Sequence, residues 1–154
     1  MCLYINHRIT KNIRKKMQDA KVFYKNVSVI KKGEKYYISS PYWKTRINAG
    51  VYNSDRKDAN LNWLEKRNQE VNKGIHVFNN LNGAGRNAGD CNSGVCGYFP
   101  GHIVTIEVTA KMDDFVVAGY FETEDRNLGS SVFTKIYISQ EQINKAIVKV
   151  KKAL

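Results

Sequence analysis

Residues 102–110 read HIVTIEVTA. After Ile103 the apolar residues alternate. Val104, Ile106, Val108 and Ala110 fall on one face, and Thr105, Glu107 and Thr109 on the other. Successive side chains of a strand point to opposite faces, so a period of two marks a strand with one buried side. Such a strand fits an antiparallel sheet that rests one face on a core.

Downstream, MDD (112–114) makes a turn and FVVAGYF (115–121) reads as a second strand. ETEDRNLGS (122–130) is a polar loop, and SVFTKIYIS (131–139) a last strand. The chain closes on SQEQINKAIVKVKKAL (139–154). Ser139 and Gln142 make an S-x-x-Q capping box, and Ile143, Ala146, Ile147, Val150 and Leu154 recur at helical spacing. Lysines in the last turn suit the helix dipole, and they read as a solvated face.

Upstream, GIHVF (74–78) reads as a short strand. TKNIRKKMQDA (10–20) reads as a helix capped by Thr10, with Ile13, Met17 and Ala20 on one stripe. VFYKNVSVI (22–30) and YYISS (36–40) flank KKGEK, a hairpin in which Gly33 supplies the turn. Pro41 ends the second of those strands. Residues 41–58 are irregular, and DANLNWLEKRNQEVN (58–72) predicts a helix capped by Asp58. Sequential strands joined by short turns predict an α+β fold. Its expected form is one domain over 1–154, with a mainly antiparallel sheet of about six strands and two or three helices on one side.

Composition narrows the function classes. The chain has 154 residues, enough for a core without disulfide or metal staples. No apolar run reaches the roughly 18 to 20 residues of a membrane span. The start, MCLYINHRIT, lacks a secretory pattern, which points to a cytoplasmic setting in which the three cysteines are thiols. The net charge is +11, and it is uneven. Residues 1–77 carry 17 Lys/Arg against 6 Asp/Glu, and residues 78–154 carry 8 against 8. The surplus of 11 therefore lies wholly in the first half, where a shared face would attract polyanions. Lys15, Lys16, Lys31, Lys32, Arg46 and Arg56 are the candidate anion contacts. Tyr42 and Trp43 lie among these cations, as rings that stack on bases or anchor an interface do.

The stretch between Phe78 and His102 carries several candidate chemistries. GAGRNAG (83–89) follows a strand, as a dinucleotide fingerprint does, but its glycines are spaced one residue too far. DCNSGVCGYFPG (90–101) offers turn formers rather than a helix, so the whole span 80–101 reads as a long Gly/Asn/Cys-rich loop. Backbone turned into a nest there, with Arg86, is a looser way to hold phosphate. His76, Cys91, Cys96 and His102 supply the ligand types of a tetrahedral zinc site, without the tight C-x-x-C spacing. Cys2 would be an N-terminal nucleophile after loss of Met1. A fourth pattern is that of one class of ADP-ribosyltransferases, with an early Arg, a serine strand and a late Glu-x-Glu. Arg14, Ser39, Glu122 and Glu124 occur here in that order. A glutamate after a sheet strand suits an oxocarbenium-like state.

A lysine-rich hairpin, an irregular Tyr/Trp segment, a G-[IY]-H-[VL] strand (74–78), a DFVVAG turn (114–119) and a VFTKIYI strand (132–138) occur together. This layout resembles small uncharacterised proteins of bacteriophages and prophages. The resemblance implies an accessory binding protein in the cytoplasm of a bacterial host, acting in counter-defence or host takeover. It implies no catalytic residue and no cofactor. The expected partner is nucleic acid, a nucleotide or an anionic host protein surface, with no membrane.

Overall fold

The computed structural model describes residues 3–17, 19–41, 46–53, 70–71, 74–93, 101–122 and 127–153. The alternating stretch is β8 (His102–Lys111), and its partner is the longest strand, β2 (Ala20–Lys32). They pair antiparallel from Ala20↔Lys111 to Val29↔His102, ten residues in register. That register puts Phe23, Val27 and Val29 on the same side as Val108, Val104 and His102. β3 (Lys35–Ser39) returns along β2 through the turn at Gly33, whose φ of 65° suits glycine. The predicted hairpin is present.

The sheet is larger than expected, with eleven strands rather than six among the described residues. Several segments in which the sequence predicts no strand belong to it. β1 (Leu3–Ile5) precedes the first helix, and β4 (Arg46–Ile47) and β5 (Gly50–Asn53) come from the irregular segment. β6 (Glu70–Val71) pairs with β1, where a helix was expected. The other residues of that expected helix, 58–69 and 72, lie outside the described residues. β7 (Ile75–Phe78) is the predicted GIHVF strand. β9 (Phe115–Glu122) is followed by β10 (Asn127–Phe133), which begins inside the expected polar loop. The predicted last strand breaks at Thr134, because β11 (Lys135–Ile138) leaves β9 and β7 to pair with β5 and β8. The order is β5-β11-β8-β2-β7-β10-β9-β1-β6, with β3 on β2 and β4 on β3.

Among the described residues three α-helices cover the sheet, on both faces and not on one. α1 (His7–Lys16) is capped by Asn6, whose Oδ1 accepts from Ile9 N at 3.0 Å. Thr10, expected as the cap, instead faces inward. Its hydroxyl donates to Ala118 O at 2.7 Å and accepts from Ala118 N at 3.0 Å, which ties α1 to β9. α3 (Gln140–Ala153) starts at Ser139, whose Oγ accepts from Gln142 N at 3.2 Å. Gln142 does not return the bond. Its Oε1 accepts from Glu107 N at 3.1 Å and so docks α3 on β8. Ile13 of α1, Met17 just after it, and Ile143, Ala146 and Val150 of α3 join Phe23, Val27, Val104, Ile106, Val108 and Phe133 in one core. The Phe133 and Phe23 rings meet edge to face at 4.9 Å.

The third helix corrects the expected loop. Leu81–Asn92 is α2, capped by Asn80, whose Oδ1 accepts from Gly83 N at 2.7 Å. Its buried side is Gly83, Ala84, Asn87, Ala88 and Cys91. Glycine and asparagine are poor helix formers, so the helix is held by tertiary contacts. Small side chains let it lie close against the opposite face of β2 and β8, where Phe78, Tyr24 and Ile103 meet it. Asn26 Nδ2 donates to Ala84 O at 2.9 Å and to Asn87 Oδ1 at 3.0 Å, and Thr105 Oγ1 donates to Asn26 Oδ1 at 2.6 Å. Asn92 completes the dock, since its side-chain amide exchanges two 2.7 Å bonds with the Ile103 backbone. Among the described residues, no helix is long and apolar enough to cross a membrane.

Candidate functional site

β2 carries cations at both ends. At its start, Lys21 extends over the Phe23 ring, with the ammonium 5.3 Å from the centroid. The last turn of α1 brings Arg14, Lys15 and Lys16 to the same end. Burial, and then the Lys16 charge, hold the Lys21 pKa below the ordinary lysine value. Arg14 lies over the Phe115 ring at 5.6 Å.

At the far end, Lys31, Lys32 and Lys35 are exposed around the hairpin turn. Tyr36 receives two cations, Lys31 at 5.9 Å and Lys151 of α3 at 4.9 Å. Tyr37 receives Arg46 at 5.4 Å. Tyr36 and Tyr37 are consecutive on a strand, so the two stacks stand on opposite faces of the hairpin. These cations rest on ring faces rather than on carboxylates. Among the described residues the one ion pair is Lys145–Glu141 at 3.1 Å, exposed and outside the basic half. Such a pair contributes little.

The structure thus divides the basic half into two clusters. Lys15 and Lys16 mark one, and Lys31, Lys32 and Arg46 the other. Lys21 and Lys31 are ten residues apart on β2, or about 33 Å. Tyr42, Trp43 and Arg56 lie outside the described residues. Arg86 is exposed on α2, across the sheet from α1 and α3. The glycines of GAGRNAG sit within α2, so the segment is not a loop-borne phosphate nest.

The other constellations fall only partly within the described residues. Arg14 meets Phe115 at the first residue of β9, whereas Glu122 is its last, about 23 Å further along. Ser39 is buried on β3, paired with Ser28. Glu124 lies outside the described residues, as do Cys2 and Cys96. Among the described residues, no group of three or more His, Cys, Asp or Glu is placed to hold a metal. Cys91 is buried against Ala88 and Ile103, and His102 Nε2 lies 3.4 Å from Asn92 Nδ2.

Two lysines escaped the sequence reading. Lys151 was assigned to a solvated face, and only the docking of α3 brings it to Tyr36. Lys25 had a signal, because it shares the inward parity of Phe23, Val27 and Val29. Its stem is partly open but its ammonium is enclosed, donating to His76 O at 3.3 Å. Burial lowers its pKa to about 8. A depression of about 610 Å³ lies against Gln140–Lys152, but its lining residues all belong to the outer side of α3. It has no second wall among the described residues and encloses nothing. No family model, curated protein or solved structure matches this chain.

Proposed function

We propose that the chain is a non-catalytic binding protein whose basic half engages nucleic acid. The observation that supports it is the uncompensated charge. Arg14, Lys16, Lys21, Lys31, Lys151 and Arg46 lie on aromatic faces or beside one another, with no carboxylate partner among the described residues. A cation on a ring keeps its charge and leaves its outer side open to a phosphate. Lys16 and Lys21 stand close enough to repel, and an anion would relieve that repulsion. The biological setting we infer, an accessory protein of a bacteriophage acting on its host, rests on the sequence resemblance alone.

Salt titration tests the reading. Affinity for a labelled polynucleotide, measured by fluorescence anisotropy, should fall linearly on a log–log plot of affinity against salt. The slope should be about 0.9 per phosphate neutralised on duplex DNA. Binding unchanged by salt, or no binding to any polynucleotide at low salt, would overturn it.

A further inference from the structure

We propose that the tip of the β2–β3 hairpin enters the major groove of duplex DNA. The inference rests on the nucleic-acid reading and names the ligand class and the element that meets it. β2 pairs with β8 only as far as Val29, and β3 pairs with β4 only at Ile38 and Ser39. Beyond these points Ile30 to Lys32 and Lys35 to Tyr37 pair with each other alone among the described residues. The tip of this two-stranded ribbon, residues 31–35, is exposed, while its root is held where Tyr36 packs on the core and meets Lys151 of α3.

Its size fits. The exposed tip, with up to two residues per strand around the turn, rises about 7 Å, and the strands lie about 4.8 Å apart. The major groove of B-form DNA is about 12 Å wide and about 8.5 Å deep, and it admits a two-stranded ribbon. Gly33 keeps the tip slim, with open space around it. The chemistry fits as well. Lys31 and Lys151 on Tyr36, and Arg46 on Tyr37, put cations on the two faces of the ribbon root, where the phosphate walls of a groove would flank it. Lys32 and Lys35 flank the turn, where lysine can reach guanine O6 and N7. Glu34 repels phosphate but can accept from cytosine N4. The groove of A-form RNA is deep and too narrow for side chains, so the ribbon favours DNA.

The experiment compares the full chain with Lys32→Gln/Lys35→Gln and with Lys15→Gln/Lys16→Gln by anisotropy. The probes are a DNA duplex of about 20 base pairs, the RNA duplex of the same sequence and the single strand. All four lysines are exposed, and melting curves check that each variant is folded. The hairpin variant should lose about tenfold or more in affinity for the DNA duplex, with relaxed preference for guanine-containing sites, the mark of lost base contacts. The α1 variant, which removes charge from the other cluster, should lose affinity alike on all three probes and less than the hairpin variant loses on the DNA duplex, and wild type should prefer the DNA duplex to both other probes. Dimethyl sulfate should find guanine N7 protected in the complex. A loss confined to the α1 variant, equal affinity for RNA duplex or single strand, or unprotected N7 would overturn the groove assignment while leaving nucleic-acid binding intact. Failure to bind any of the three would overturn both.

Discussion

Lys25 shows what a single misplaced charge does to this fold. It occupies an inward position of β2, opposite Ile106, and its ammonium donates to His76 O. Burial costs the charged form more than the neutral one, and the pKa falls from 10.5 to about 8. The folded chain therefore holds fewer protons than the unfolded chain between about pH 8 and 10.5, and stability should rise with pH across that window. Tyr52 acts oppositely, since burial raises its pKa and stability is lost as the pH climbs past the ordinary tyrosine value. A paired comparison removes that contribution. Lys25→Met should stabilise the protein most below pH 8, by at most about 3 kcal/mol, with the gain shrinking toward pH 10.5. Urea titrations at pH 7 and pH 10 measure it, and a difference that does not shrink would refute the account. Gly119 makes the converse case. It pairs with Ile5, and a Cβ there would overlap the Tyr4 carbonyl. The clash is with backbone, which cannot rotate away. Gly119→Ala should cost several kcal/mol, at the upper end of single substitutions. A melting temperature within a few degrees of wild type would contradict it.

At the level of elements, α2 is the clearest failure of local reading. Apart from the Asn80 cap, the local signals in NNLNGAGRNAGDCN point to turns, yet twelve residues are helical. The signals that hold it are not local. Asn26 lies on β2, Thr105 on β8, and Ala84 and Asn87 on α2, and one side chain joins all of them. Removing it leaves Thr105 and Asn87 without that partner in a buried place. Asn26→Ala should cost about 2–3 kcal/mol and should loosen α2 before the sheet. Hydrogen exchange is the check: amides of residues 84–92 should lose protection first, and uniform loss across the protein would count against it. By contrast, α3 was legible down to its first cap. Its apolar period and Ser139 are local features, and only the reach of Gln142 to Glu107 needed the fold. The β2–β3 hairpin was legible too, because Gly33 and the flanking β-branched and aromatic residues act over a few positions.

Across the whole molecule, the first half of the sequence carries the surplus of 11 positive charges, and its described strands share one sheet with strands of the neutral half. Like charges such as Lys16 and Lys21 repel, so the free protein should gain stability as salt rises from about 50 to 300 mM. Its complex with DNA should weaken over the same range. Melting curves with and without a DNA duplex would show the two trends crossing, and a free protein that melts earlier in salt would argue against self-repulsion. The division between what sequence and structure decide follows the range of the forces. The sequence by itself determined the period-two strands, the hairpin turn, the last helix and the charge asymmetry, since each depends on residues a few positions apart. Only the tertiary structure decided that Leu81–Asn92 is a helix, that α2 lies opposite α1 and α3, and that eleven strands among the described residues form one sheet. It also brought Lys151 to Tyr36, enclosed the ammonium of Lys25, and separated Arg14 from Glu122. Those outcomes depend on pairing and burial between residues distant in the chain, which no local pattern encodes.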